Sequence, residues 1–471
     1  MNVLLINPMM GKDDSPSVPP LGIYYIYHSL KEDGHSVQIL DIDGYRYSEE
    51  RVREFVGNRP VDVVGIGGLS TVYPYLYFLV PQVRKLHPNA KIVLGGAVAS
   101  SMRERCFEKF DIDYEVIGEG EETMVELLRE IQTTGNYGSI KGIGYKGNGG
   151  EVVYTEKRSL MPALDKVPMF DFNLFPMDTY LQNASGVLQI HTQRGCPHGC
   201  TFCFNNFRVV SSGVRYRPLE QVVDEIEFFK NKYGDKIRLY ALSGECITAD
   251  KEWIIGFCKE LLSRNLRIGY RVTSRVNTID KEILEWLQRS GCRLMSLGVE
   301  NGSKKILKIM KKGIDPEKAK IAVSLSKKYV KVLEVNIILG FMGEDRDTLR
   351  ETVEFCKKLG VKPGIFFATA FPGTELYRMA LEKGKIKDEE EYLMSLESRS
   401  TTIQGLNLSD IPDAEAGKIL LSAKHEIYNY YYYTRPWLGI VVLIKAIKRR
   451  GFVNTIRKSI YSFRQGLQAK E

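Results

Sequence analysis

The sequence predicts an α/β protein made of two successive strand–helix units followed by a helical C-terminal region. Three observations carry this. Residues 1–135 alternate apolar runs with amphipathic stretches. A second alternating series starts near residue 186, and between the two lies a segment spaced by glycine and proline. Runs rich in Val and Ile, each ended by a turn of Gly, Ser or acidic residues, are those of parallel strands covered on both faces.

In the first series the strands are "NVLLINP", "SVQILDID", "VDVVGIGGLS", "AKIVLGGAVAS" and "YEVIGEGE". The helices include "PPLGIYYIYHSLKEDG", opened by proline and closed by Gly34, and "EETMVELLREIQTTG", closed by Gly135. This is a five-stranded doubly wound, Rossmann-like domain over 1–135, whose ligand lies at the carboxyl ends of the strands. Small residues at Gly67, Gly68, Ser70, Gly95 and Gly96 would let a bulky ligand approach the backbone there, or would simply form tight turns. No G-x-G-x-x-G follows the first strand, which argues against a dinucleotide. Residues 136–185 read as a linker with a hairpin over "GNGG".

The second series, 186–385, has strands "VLQIHTQRG", "IRLYALSG", "RIGYRVTSR", "RLMSLGVEN", "VLEVNIILGF" and "KPGIFFATAFPG". Six β/α units make an incomplete TIM-type barrel, a (β/α)6 version of the eight-unit form, with its active residues at the C-terminal strand ends. The polar motifs fall there. Residues 386–471 form the helical C-terminal region.

Length and 44% hydrophobic content allow large cores. Eight cysteines without an even framework point to a reducing cytosol and no disulfides. "MNVLLINPMM" reads as a first strand and lacks the pattern of a secretory signal, and "PWLGIVVLI" falls far short of the ~20 apolar residues that cross a bilayer. The net charge of +8 is concentrated: residues 440–471 carry eight Lys or Arg against Glu471, giving +7. With the tyrosine run and apolar patch of 427–451, this tail suits either an anionic membrane surface or a solvated face.

The chemistry is concentrated in "HTQRGCPHGCTFCFNNFR", residues 191–208, where Cys196, Cys200 and Cys203 form a loop directly after the first barrel strand. Thiolates so placed suit a metal centre. A structural zinc requires four closed ligands, and the fourth is not local unless His198 turns inward. A [4Fe-4S] cluster held by three thiolates leaves one iron open to a further ligand. Cys106, Cys258, Cys292 and Cys356 read as small core hydrophobes, and Cys246 as packing that could also approach a substrate. His191 and Arg194 read as satisfied polar groups on the strand entering the loop.

"CPHGCTFC" resembles the CxxxCxxC signature of the radical S-adenosylmethionine (SAM) enzymes, and over roughly residues 1–400 the chain is similar to their cobalamin-binding branch. The resemblance implies that Cys196, Cys200 and Cys203 hold a [4Fe-4S] cluster whose open iron binds SAM. "SGE", Ser243, Gly244 and Glu245, would hold the SAM amino group, and "TSR" with Ser274 and Arg275 and "GVENGS" with Glu300 its ribose and carboxylate. "GFMGED" and "FPGTELY" would meet the adenine, and Phe202 would pack near it. Cobalamin would lie on the loops bearing Gly67, Ser70, Gly95, Gly96, Gly118 and Glu119. The Asp-x-His-x-x-Gly cobalamin signature is absent, since the second-strand loop reads "DIDGYRYSE", and this implies cobalamin without a histidine axial ligand.

The implied activity is methyl transfer to an unactivated carbon, using a 5′-deoxyadenosyl radical and methylcobalamin. Ring or carbon–carbon bond formation without methyl transfer is the alternative. The implied partners are an electron donor such as flavodoxin or ferredoxin and a small-molecule, lipid or peptide substrate. A zinc-stapled nucleic-acid-binding module would account for the cysteines and the tail but not for the ordered barrel motifs, so no nucleic acid is expected.

Overall fold

The computed structural model describes residues 1–11, 16–204, 213–396, 401–402 and 405–438. The first sheet has seven strands in the order β2-β1-β3-β4-β5-β6-β7. Its first five, β1 (Asn2–Asn7), β2 (Ser36–Asp41), β3 (Val63–Gly68), β4 (Lys91–Gly95) and β5 (Tyr114–Val116), are those the sequence predicts, and all pair in parallel. Alternation puts Val3 and Leu5 in one core and Leu4 and Ile6 in the other, which is why these strands read as continuous apolar runs.

The predicted hairpin is more than linker. Its strands β6 (Ile143–Lys146) and β7 (Val152–Tyr154) extend the sheet antiparallel from β5. The edge of β5 would otherwise expose unpaired backbone groups. Part of the segment 136–185 therefore belongs to the first domain.

After a short helix, Met177–Asn183, the chain enters the second sheet at β8 (Val187–His191). A two-stranded ribbon of β9 (Gln193–Arg194) and β10 (Arg215–Tyr216) brackets the cysteine loop. Five further parallel strands follow: β11 (Leu239–Ser243), β12 (Tyr270–Arg275), β13 (Cys292–Glu300), β14 (Val332–Leu339) and β15 (Pro363–Phe367). Their order is β15-β14-β13-β12-β11-β8, six neighbours in sequence order, as expected of an incomplete barrel. The helix Asp413–Tyr433 packs Ala416, Leu420, Ala423 and Ile427 into the barrel's core, a stripe at helical spacing.

The two units share cores. Leu94 and Val98 of the first domain pack in one cluster with Ile306, Met310, Phe341 and Leu376 from the barrel mouth. The C-terminal ends of both sheets are thereby brought to a common region. No helix among the described residues is long and apolar enough to cross a membrane. The basic tail, 440–471, lies outside the described residues.

Candidate active site

The cysteine loop is anchored on both sides by backbone bonds: Thr201 N–H donates to Met310 O (3.0 Å), and Leu376 N–H donates to Thr201 O (2.8 Å). Cys200 is buried, and Arg275 Nη1 donates to its Sγ at 3.1 Å. Arg275 also donates to Lys312 O, and Lys312 Nζ pairs with Glu300 at 2.8 Å, so a buried chain Cys200–Arg275–Lys312–Glu300 backs the loop. A guanidinium so placed gives this sulfur a charge-assisted hydrogen bond. Burial raises the Cys196 thiol while the Arg275 charge opposes that. Burial and the charges of Arg275 and Lys312 push His198 down to about 4, keeping it neutral.

Among the described residues, no three His, Cys, Asp or Glu side chains converge closely enough to hold a single ion. Each thiolate of a cubane binds a different iron and stands wider apart than the ligands of one ion, so the loop suits the cluster better than a closed zinc set.

Beside this loop lies a cavity of about 680 Å³ lined from both domains, within the range of a sizeable ligand site. Leu5, Gly65, Val93 and Met124 form an apolar floor, and Gly67, Gly95, Gly96, Gly118 and Glu119 line it at the strand ends of the first sheet. Ser243, Gly244, Glu245 and Thr273 close it from the barrel. Two glycines here have no substitute. Gly96 has φ +76°, and a Cβ would stand 2.8 Å from Gly68 O; at Gly244 a Cβ would stand 2.3 Å from the Gln193 side chain. The apolar floor and glycine-rich rim admit a broad planar ring such as a corrin.

The second-strand loop has no histidine. Asp41 accepts from Asn7 Nδ2 (2.7 Å), Gly44 N (2.9 Å) and Tyr180 OH (2.7 Å), which closes it by hydrogen bonds.

Other assignments divide. Phe202 packs edge-on against Phe341 of the "GFMGED" loop (6.1 Å), while its neighbour Phe204 lines the cavity, as does Tyr25. Ser70 is buried and does not line the cavity. Ser274 requires a correction: β12 alternates, so Thr273 faces the cavity and Ser274 lies on the covered face, 2% exposed. Its hydroxyl has no hydrogen-bond partner among the described residues. Glu300 is taken up by Lys312, as described above.

Glu119 lines the cavity, but its carboxylate serves the domain junction. Arg215 Nη1 and Nη2 donate to it at 2.9 and 2.8 Å, and Arg194 Nη1 lies 3.2 Å away. Burial would raise its pKa, yet the two guanidiniums hold it below the usual carboxylate range. Arg194 also donates to Glu121 at 2.6 Å. The pairing was missed from sequence because the partners are 96 residues apart.

His191 shares a hydrogen bond with Tyr25 OH (3.0 Å), and burial with the Arg194 and Arg217 charges pushes it down to about 3. It is a neutral, satisfied group, as expected. Cys106, Cys258, Cys292 and Cys356 are buried packing residues, and so is Cys246, whose Sγ meets Thr278 Oγ1 at 3.6 Å.

Comparisons with known proteins match this geometry. The model of the Radical SAM superfamily covers residues 190–356, and that of the B12 binding domain covers 15–128. The chain belongs to the cobalamin-dependent radical SAM enzymes, and its cofactors are a [4Fe-4S] cluster, SAM and cobalamin.

An uncharacterized methyltransferase of Pyrococcus horikoshii is 28% identical over 92% of this chain and 91% of its own. An anaerobic magnesium-protoporphyrin IX monomethyl ester cyclase of Rubrivivax gelatinosus is 26% identical over 83% of this chain and 72% of its own. Among solved structures, the radical SAM methyltransferase TsrM of Kitasatospora setae, with cobalamin and a [4Fe-4S] cluster bound, superposes with a TM-score of 0.69. It is 21% identical and spans 82% of this chain and 78% of its own, a likeness of fold.

Proposed function

We propose that this enzyme transfers a methyl group from SAM to a carbon of its substrate. The observation that carries the reading is the single cavity lined by the glycine loops of the first domain and by Ser243, Gly244, Glu245 and Thr273 of the barrel. When bound, the cluster and SAM supply a hydrogen-abstracting 5′-deoxyadenosyl group and cobalamin supplies the methyl. The protein's part is to hold these groups facing one space and to keep water out of it. Cys196, Cys200 and Cys203 would hold the cluster, Arg275 supporting Cys200. Ser243, Gly244, Glu245 and Thr273 would receive SAM, and Gly67, Gly95, Gly96 and Gly118 would bed the corrin. The relative from Pyrococcus horikoshii is named a methyltransferase, which supports the reading.

The test is a product count with methyl-labelled SAM on anaerobically loaded enzyme. Methyl transfer predicts 5′-deoxyadenosine and S-adenosylhomocysteine in about equal amounts per product, one SAM being spent on each role. Deoxyadenosine formed with product but without homocysteine favours a second reading, ring or carbon–carbon bond formation, which the cyclase name of the Rubrivivax gelatinosus relative supports.

Reductive cleavage of SAM consumes an electron, so a low-potential one-electron donor of the flavodoxin or ferredoxin kind is part of the proposal. A peripheral anchor is a further part. Tyr433 is 85% and Trp437 60% exposed at the point where the +7 segment begins. Each Lys or Arg near an anionic bilayer contributes on the order of 1 kcal/mol before screening. Binding to anionic vesicles should fall as salt rises and vanish on removal of 440–471; full-length protein left in the supernatant at low salt contradicts the anchor.

A further inference from the structure

On β12, Tyr270 and Val272 are buried against the helices, so Arg271 and Thr273 face the opposite way, into the barrel's bore. The registers extend that face across the sheet. Ala241 pairs with both Gln189 and Arg271, Thr273 with Ser296, and Ser296 with Glu334; Arg275 pairs with Gly298, and Gly298 with Asn336.

A closed barrel fills its bore with branched apolar side chains. Around the apolar Leu294 and Val332, which stand in register with Arg271, this bore presents Gln189, Arg271, Thr273, Ser296, Glu334 and Asn336, none of them fully buried. Asn336 Nδ2 donates to Ser296 Oγ at 3.1 Å, which leaves the amide oxygen and the serine hydroxyl proton for a ligand. Arg271 makes no hydrogen bond, ion pair or ring contact among the described residues. A partly buried guanidinium on a central strand, with no ion pair among the described residues, can take an anionic ligand.

Resting on the methyl-transfer reading, we infer that the substrate places an anionic group, a carboxylate or phosphate, on Arg271. The Ser296–Asn336 pair bonds the polar atoms next to it. Glu334, on the same face, accepts from a hydroxyl or amine of the same molecule. Ser243 and Thr273 belong to this face and also line the cavity, so the far end of a molecule held by Arg271 reaches the cofactor space. A hydrocarbon chain would cover these bore groups and leave them unpaired, which is unfavourable for desolvated polar groups. The end of the substrate within the bore is therefore polar.

The test uses full-length enzyme loaded anaerobically with cluster and cobalamin. Its probes are the aqueous and the lipid extract of cells, each split on an anion exchanger at neutral pH. The readout is 5′-deoxyadenosine released above the substrate-free rate, which does not depend on methyl transfer. Stimulation should lie in an anion-retained fraction, the aqueous one for a free metabolite and the lipid one for an anionic headgroup. Arg271→Leu, at matched iron and cobalamin content, should need about tenfold or more of that fraction for half-maximal stimulation, and Arg271→Lys less, as expected for a charge-assisted bond. Stimulation only in unretained fractions, none in any, or an Arg271→Leu response equal to the wild type overturns the inference. A stimulating anionic fraction whose product carries no labelled methyl leaves the inference standing and overturns the methyl-transfer reading alone.

Discussion

The Arg275 guanidinium joins the cysteine loop, through Cys200, to the Lys312–Glu300 pair. Its place at the end of a barrel strand was legible in "TSR", but the parity of that motif was not. Whether Thr273 or Ser274 faces the cavity depends on which side of β12 the helices cover, which only the packed sheet reveals. A second buried group does not line the cavity. Glu115 is fully buried on β5, accepts from Tyr154 OH at 2.9 Å, and burial pushes it up to about 8 from 4.5. Between those values the unfolded chain releases this proton while the folded chain keeps it. Stability then falls as pH rises, by roughly 1.4 kcal/mol per unit at most, and levels off above about 8. Glu115→Gln, which keeps an acceptor for Tyr154, should remove this slope, so the variant gains on the wild type from pH 5 to 8 in urea denaturation. Parallel curves would show that Glu115 ionises normally.

At the scale of elements, strand order was readable because each run is apolar throughout and ends in a turn signal. The hairpin was also readable, but not its destination. "GNGG" specifies a turn, whereas pairing with β5 depends on an open sheet edge elsewhere in the chain. The domain junction has the same character. Glu119 and Glu121 stand at the turn into the helix Glu121–Gln132, in a stretch that resembles a cofactor motif, and their partners Arg194 and Arg215 flank the cysteine loop. Glu119→Ala would leave the Arg215 guanidinium without its counter-charge in a largely buried place, while Arg194 keeps Glu121, a loss on the order of 3–5 kcal/mol. Thermal unfolding of this variant should separate into two transitions, one for each domain. Glu126→Ala removes a more exposed partner, that of Arg158, and should cost about 1 kcal/mol or less. Equal effects of the two changes would mean that the junction is held by the shared apolar core alone.

For the molecule as a whole, the parallel strands of two sheets bring their carboxyl ends to one cavity, which draws on loops that were each weak signals alone. Cys196, Cys200 and Cys203 were legible because their spacing is local. The common cavity was not, because it is made by docking two domains through one core containing Leu94, Ile306 and Phe341. The account rests on the cysteine loop as the seat of SAM cleavage, and the most direct measurement is 5′-deoxyadenosine formation by anaerobically reconstituted, reduced enzyme. Wild type and Cys258→Ala, whose thiol is buried among core side chains, should form it. Cys196→Ala, Cys200→Ala and Cys203→Ala should each lose both the product and most of the iron. Deoxyadenosine from the triple Cys→Ala variant would contradict the account.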